Sequence, residues 1–503
     1  MSLLGLILRQ AIKSPRHTAV IDDNRTYTYA RLVGGALCVA DHIDRLMAAR
    51  HVGILLPTSG AFTFTLLGAW LSKRVAVPLN YLLSPQELNY VIRDSGIDTI
   101  FTTDLLLNYL GQLCGEEGLA KAIPDNIQIV KLEELNFCRF PPLRWPPRYC
   151  DDDLAVILYT SGTIGNPKGV MLSHGNLHSN VDAGIEHARI TRADIFLGVL
   201  PQCHSFGLTA LTLIPLRVGA TVVYAARFIP RKIVNLIRIH KPDIFMAVPS
   251  MYGALLTVKE AKPDDFSSIR FAVSGGEPLP DATLDRYRDR FNLQLLEGYG
   301  LTETSPVANW ATHDRYKRHS VGLALPGVTE IVVDQKDQIL PANHDGEILI
   351  AGPNIMQGYY NLPDQTNEVF IKFNLPNRGQ TKMFRTGDIG HLDEEGYLFI
   401  TGRKKEMLII GGDNVFPREI EEVLNRHESI KDSAVIGKSD GMRGEVPIAF
   451  VEVNEDEKFD ESQIRNHCRQ ILAQFKVPRK IYVIKELPRS PSGKILRRHL
   501  KVE

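Results

Sequence analysis

"LSPQELNYVIRDSGIDTIF", Leu83 to Phe101, decides the fold class. Ser84, Pro85 and Glu87 spell a helix start. The serine hydroxyl can accept the Glu87 N–H, the carboxylate can reach back to the Ser84 N–H, and proline has no N–H to leave unpaired. Leu88, Val91 and Ile92 recur at the helical period, which predicts one buried stripe. Gly96 supplies the stop, and Thr99 to Phe101 begins a strand. Helix, tight turn and strand within nineteen residues is the grammar of an α/β protein.

The same grammar recurs outward from this stretch. "PRKIVNLIRIHKPDIFMAVPS" reads as a helix followed by a strand over Ile244 to Val248, with Pro242 and Asp243 as the turn between them. "IRFAVSGGEPLPDATLDRYRDRFNLQLLEGYG" reads as strand, loop, helix and strand. Repeated alternation of this kind predicts doubly wound, mostly parallel sheets. From about residue 323 the pattern becomes short alternating strands with polar turns, as in "EIVVDQKDQILPANHDGEILIAG", which predicts a small antiparallel β subdomain over about 323–403. Mixed α and β return over 404–503, enough for a separate small lid domain after a large domain of 1–403, with a short hinge at Arg403 to Glu406.

In doubly wound sheets a ligand sits beyond the carboxyl ends of strands. Four candidate loops fall there, after Tyr159, Val248, Val273 and Glu297. The first, "LYTSGTIGNPKGVMLSH", Leu158 to His174, offers the hydroxyls of Thr160, Ser161 and Thr163, close backbone approach at Gly162, Gly165 and Gly169, and the charge of Lys168. That inventory suits a polyphosphate. It is not a Walker A loop, because Pro167 precedes Lys168 and Gly169 follows it. The other loops add "SGGEPLP" and "GYGLTETSP", with Tyr299 as a stacking face and Glu303 as a carboxylate suited to Mg²⁺, which points to a nucleotide triphosphate site.

Bulk properties exclude several other classes. The chain has 58 basic and 58 acidic residues, 44% apolar and 23% charged, so no net charge marks it for nucleic acid. Cys38, Cys114, Cys138, Cys150, Cys203 and Cys468 show no CxxC or metal-ligand spacing and read as reduced thiols in a cytoplasm. "MSLLGLILRQAIK" reads as a short amphipathic helix, not a signal peptide, and the apolar run Ala61 to Leu71 is too short for a bilayer. Phe196 to Tyr224 carries Pro201, His204, Pro215 and Arg217, so no transmembrane segment is expected there, although peripheral membrane contact is compatible with the sequence.

Six stretches occur in a shared order: "YTSGTIGNPKG", "LPQCHSFG", "SGGEPLP", "GYGLTETSP", "FRTGDIGHLDEEGYLFITGRKKEMLIIGGDNVFPREIE" and "PRSPSGKILRRHL". Together they resemble the adenylate-forming superfamily of acyl- and aryl-CoA ligases, peptide-synthetase adenylation domains and firefly luciferase, with bacterial fatty acyl-CoA synthetases nearest. The resemblance implies a two-step reaction. A carboxylate attacks the α-phosphate of MgATP and releases pyrophosphate, and a thiol then attacks the acyl-adenylate, with AMP leaving. Positioning and charge neutralisation carry such a step, since two anions must meet.

Carried over by position, the resemblance implies that Thr160, Ser161, Gly162, Thr163 and Lys168 hold the β- and γ-phosphates. Gly275, Gly276, Glu277, Gly298 and Tyr299 resemble the adenine pocket, Thr302 lies at the α-phosphate position and Glu303 at the magnesium position. Asp388 resembles the ribose carboxylate, and Arg403 its companion. Lys494 resembles the adenylation lysine and Lys405 the hinge residue; Gly411 and Gly412 resemble the loop that admits a pantetheine arm after the lid rotates. His204 matches a pocket-gating histidine and is assigned no proton transfer, because the acid is already ionised near neutral pH.

Gly207 after Phe206 and Gly300 after Tyr299 are read as leaving room beside the reacting centre for an alkyl chain. No aspartate suited to an amino acid's ammonium lies in the strand Ile244 to Val248. The expected substrate is a medium- or long-chain fatty acid, and the expected acceptor is coenzyme A. An aryl acid is the alternative substrate. Acyl carrier protein is the alternative acceptor, since "LPQCHSFGLT", "EGYGLTETSP" and "GPNIMQGYY" also resemble bacterial acyl-carrier-protein synthetases, although an acyltransferase domain before residue 1 is not expected. A luciferase-like oxygenase acting on the same adenylate is a remoter reading.

Overall fold

The computed structural model describes residues 2–46, 49–137, 141–160, 166–375, 378–410, 413–440, 444–454, 459–489 and 494–501. Two large sheets dominate the first 325 residues. One has nine strands in the spatial order Leu323–Ala324, Val307–Trp310, Leu295–Gly300, Phe271–Gly275, Ile244–Ala247, Ile195–Gly198, Thr221–Tyr224, Thr18–Ile21 and Thr26–Thr28. Its six central strands run parallel, and the pairs at both edges are antiparallel. The other has seven strands, Gly358–Tyr359, Lys168–Ser173, Leu154–Thr160, Val75–Pro78, His51–Ile54, Thr99–Thr102 and Gln128–Lys131.

The signals read from the sequence act as expected. Ser84 and Glu87 form a reciprocal capping box on the helix Pro85–Ser95, Leu88, Val91 and Ile92 are buried, and Gly96 closes the helix at φ +65°. Such a cap contributes about 1 kcal/mol. The apolar run beginning near Ala61 is the helix Gly60–Leu71, buried along its length, where the Trp70 indole donates to the Ala155 carbonyl at 3.0 Å. It belongs to one continuous core joining both sheets through the helices Leu3–Lys13, Tyr29–Leu46 and Gly60–Leu71. Among the described residues no helix is long and apolar enough to cross a membrane.

Thr329–Val333, Gly346–Ala351, Phe370–Leu375, Gly379–Leu392 and Leu398–Arg403 form an antiparallel five-stranded sheet, the β subdomain the alternation predicted. A turn over 404–406 leads to a further sheet of Leu408–Ile410, Asp413–Val415, Ile430–Asp440, Gly444–Val453 and Lys480–Val483. The helices Pro417–Asn425 and Glu461–Ile471 pack on it through Ile420, Val423, Leu424, Ile464 and Cys468. Among the described residues no hydrophobic cluster contains side chains from both sides of this turn.

Candidate active site

The parallel strands Ile244–Ala247, Phe271–Gly275 and Leu295–Gly300 are neighbours in register, Ala247 beside Ser274 and Gly275 beside Gly298, so the loops that follow them leave the sheet at one edge. The phosphate-like loop comes from the other sheet. Leu154–Thr160 and Lys168–Ser173 are antiparallel, with Thr160 opposite Lys168, so a hairpin presents the loop, unlike the strand-to-helix turn of a Walker A site. Ser161, Gly162 and Thr163 lie outside the described residues, as do Gly411 and Gly412.

Tyr359, which the sequence reading did not single out, joins the two sheets at this point. Its hydroxyl donates to Glu303 Oε1 at 2.9 Å, and the Lys168 ammonium lies 5.0 Å from its ring centroid. The Met356 N–H donates to the Glu303 carbonyl at 2.9 Å, while Gly358 and Tyr359 pair with Met171 and Val170. Its signal was present in "GPNIMQGYY", a glycine before two aromatics, but pairing with a strand almost two hundred residues away is not legible locally. Ser205 is a second such residue: its hydroxyl is 3.2 Å from that of Thr302.

The Tyr299 hydroxyl donates to Asp388 Oδ2 at 2.7 Å, and Arg403 Nε lies 2.9 Å from Oδ1. Strand pairing explains the second contact, because Asp388 and Arg403 are direct partners on Gly379–Leu392 and Leu398–Arg403. Burial pushes the Asp388 carboxyl pKa up, and Arg403, the Tyr299 hydroxyl and Lys494 oppose that rise.

Lys494 reaches this cleft from the C-terminal part of the chain. The protein surrounding the cleft lowers its ammonium pKa, and the like charge of Arg403 adds to the effect; Glu277, Asp388 and Glu303 pull the other way. The N–H of the next residue, Ile495, donates to Glu277 Oε1 at 2.9 Å. Gly276 sits at φ +86°, and a Cβ there would lie 3.7 Å from Lys494 Cε. His204 is pushed down to about 4 by burial, with Lys494 adding to the shift, and its Nε2 is buried with no hydrogen-bond partner among the described residues. At that value the ring is neutral at pH 7. Lys405 lies in the exposed turn 404–406.

One expectation is overturned. Gly207 and Gly300 do not open space for an alkyl chain. A Cβ on Gly207 would stand 2.1 Å from the Pro201 carbonyl oxygen, and one on Gly300 would stand 1.9 Å from that of Pro306. Both glycines permit backbone to pass against backbone. Gln202, two residues before His204, has a structural role: its amide accepts from the Ser59 N–H at 2.8 Å and donates to the hydroxyls of Thr63 and Thr212 at 2.9 and 3.0 Å. A buried amide satisfied this fully fixes the segment leading to His204.

Comparison with known proteins agrees with this geometry. The AMP-binding enzyme family model matches residues 7–360, and the AMP-binding enzyme C-terminal domain model matches 419–494. The long-chain-fatty-acid–CoA ligase of Bacillus subtilis is 30% identical over 547 residues, an alignment spanning 100% of this chain and 94% of that one. ATP-bound MatB from Rhodopseudomonas palustris superposes with a TM-score of 0.85 at 29% identity, covering 99% of this chain and 98% of that one. The o-succinylbenzoate CoA synthetase of Bacillus subtilis, solved with its acyl-adenylate intermediate, gives 0.85 at 28%, also covering 99% and 98%.

Proposed function

Because the chain belongs to the AMP-binding enzyme family, we propose that it activates a carboxylic acid with ATP through an acyl-adenylate and passes the acyl group to coenzyme A, releasing AMP and pyrophosphate. The observation that carries this reading is the approach of Lys494 to Glu277, Asp388, Glu303 and Arg403, with the Ile495 N–H on Glu277 Oε1 and Lys494 Cε beside Gly276, although Ile495 packs in a cluster formed by the C-terminal part of the chain. An ammonium delivered there neutralises charge as the acid oxygen attacks the α-phosphorus and pyrophosphate departs. Asp388 can accept both ribose hydroxyls, Tyr299 offers a face for adenine, Thr302 stands for the α-phosphate, and Lys168 with Thr160 stands for the outer phosphates.

Glu303 fits a magnesium ion. Its carboxylate takes the Tyr359 hydroxyl and, among the described residues, forms no ion pair, leaving hard oxygen acceptors beside the phosphate-like loop. Magnesium is commonly held by one or two carboxylates plus substrate phosphates. When bound, the ion would neutralise phosphate charge; Lys168 and Lys494 supply the protein's own share.

We place the domain boundary at 403/404, with 404–503 as the lid and Lys405 at its hinge. The acid is a medium- or long-chain fatty acid, a reading supported by similarity to a long-chain-fatty-acid–CoA ligase along nearly its full length. An aryl acid is the second reading, favoured by the likeness to the o-succinylbenzoate enzyme. Among the described residues Cys38, Cys114, Cys150, Cys203 and Cys468 form no disulfide, which suits a reducing cytoplasm. Pyrophosphate release should be screened across straight-chain acids from acetate to stearate and across aryl acids, then coenzyme A and acyl carrier protein compared as acceptors. Release with long-chain acids and thioester formation on coenzyme A is the expected result; release with aryl acids alone would replace the fatty-acid reading.

A further inference from the structure

The helix Pro417–Asn425 has two faces with different destinations. Ile420, Val423 and Leu424 point into the lid's own core. Arg418, Glu422 and Arg426 recur every fourth residue and form a polar stripe on another face. That stripe lies on the body. Arg426 Nη2 is 2.7 Å from Asp281 Oδ2, Arg418 Nη1 donates to the Ile400 carbonyl at 2.5 Å, and the Asp281 N–H reaches Glu422 Oε2 at 3.5 Å.

On the body side, one short segment carries the matching groups. Between the strand Phe271–Gly275 and the helix Asp281–Phe291, Glu277 takes the N–H that follows Lys494, and Asp281 takes Arg426. Asp281 is held in place by Arg318 at 3.1 Å and His319 at 3.5 Å, and Arg318 is itself anchored by two contacts of 2.9 Å to Asp285. The Asp281 side chain is 12% exposed and that of Arg426 is 47% exposed, so a preformed, nearly buried acceptor meets a cation that can leave into water.

We propose that the Asp281–Arg426 pair is a releasable latch that docks the lid and so positions Lys494 in the cleft for adenylation. Neither residue touches the reacting atoms; both act through the placement of the lid. The inference rests on the proposed two-step reaction, in which the lid must leave before the thiol can enter. A partly exposed ion pair suits that task, because water and salt can compete for it.

The test uses the full-length protein with Arg426→Leu and Arg426→Lys. Acid-dependent pyrophosphate release reports adenylation, and thioester formation from supplied acyl-adenylate and coenzyme A reports the second step. Arg426→Leu should slow adenylation about tenfold, the usual loss for one charge-assisted hydrogen bond, while leaving thioester formation unchanged or faster. Arg426→Lys should restore most of the loss. Trypsin cleavage at Lys404 and Lys405 in the turn 404–406 gives an activity-independent readout, and Arg426→Leu should speed that cut several-fold while the body stays intact. Equal loss in both half-reactions, or an unchanged rate of cleavage at the turn, would overturn the latch. Should the native protein release no pyrophosphate with any acid, the enzymatic reading falls, and the trypsin comparison still decides whether the pair docks the lid.

Discussion

The body and the lid are held by opposite means. In the body, helices such as Gly60–Leu71 are buried on every side and lock two sheets into one apolar core. The lid has its own smaller core, and the contacts that tie it to the body include the polar ones of Ile495 with Glu277, Arg426 with Asp281 and Lys404 with Glu347 at 3.0 Å. Apolar contact is lost at a cost proportional to area and resists separation, whereas an ion pair can be traded for water. On the proposed reading, the nucleotide-binding groups sit on the apolar frame while Lys494, proposed as the adenylation lysine, lies on the part tied by polar contacts.

The largest test of this contrast is Lys494→Ala. Removing the only lid side chain assigned to the reacting phosphate should reduce acid-dependent pyrophosphate release by at least about 100-fold. Thioester formation from supplied acyl-adenylate should stay near the native rate, and equal loss in both assays would erase the distinction between frame and lid.

A body residue should behave differently. Asp388→Asn leaves Arg403 beside a neutral group and removes half of the proposed ribose contact. Both half-reactions should fall roughly 10- to 100-fold, because ATP and the adenylate carry the same ribose. Steady-state assays of each step would show it, and a loss confined to adenylation would argue against a ribose site. Tyr359→Phe is milder, since the ring beneath Lys168 remains and one hydroxyl to Glu303 is lost. Adenylation should drop about three- to tenfold, with more magnesium needed for half-maximal rate; an unchanged magnesium titration would detach Glu303 from the ion.

A last test leaves the reaction aside and concerns the stability of the frame alone. His174 is buried against Tyr149 and Trp70, with ring centroids 3.7 and 5.1 Å away, and burial pushes its pKa from 6.5 down to about 4. The folded state thus binds fewer protons than the unfolded chain between these values, so stability present above pH 6.5 is lost as pH falls toward 4. That shift corresponds to roughly 3 kcal/mol at its full extent. His174→Phe should flatten the decline in melting temperature over this window; an unaltered pH slope would show that His174 is not its source.

How legible each part was follows from the distance over which its cause acts. The capping box at Ser84, the helix stop at Gly96 and the antiparallel β subdomain were read correctly, because their causes lie within a few residues of one another. Gly207 and Gly300 were misread, because what crowds them is carbonyl oxygen from Pro201 and Pro306, and glycine serves open space and tight backbone contact alike. The hold on Gln202 by Ser59, Thr63 and Thr212 is likewise illegible locally, since Ser59 and Thr63 lie 143 and 139 residues away in sequence.

By itself, then, the order of residues determined much of where helices and strands begin and end, which side chains are candidates for phosphate binding and charge neutralisation, and to which family the chain is related. Tertiary packing alone decided that Tyr359 bridges Lys168 and Glu303, that Tyr299 hydroxyl and Arg403 share Asp388, and that Lys494 enters the same cleft above Glu277. The reason is that helix and strand periodicity is written in near neighbours, whereas the field at a reactive centre sums over groups brought together from hundreds of residues apart.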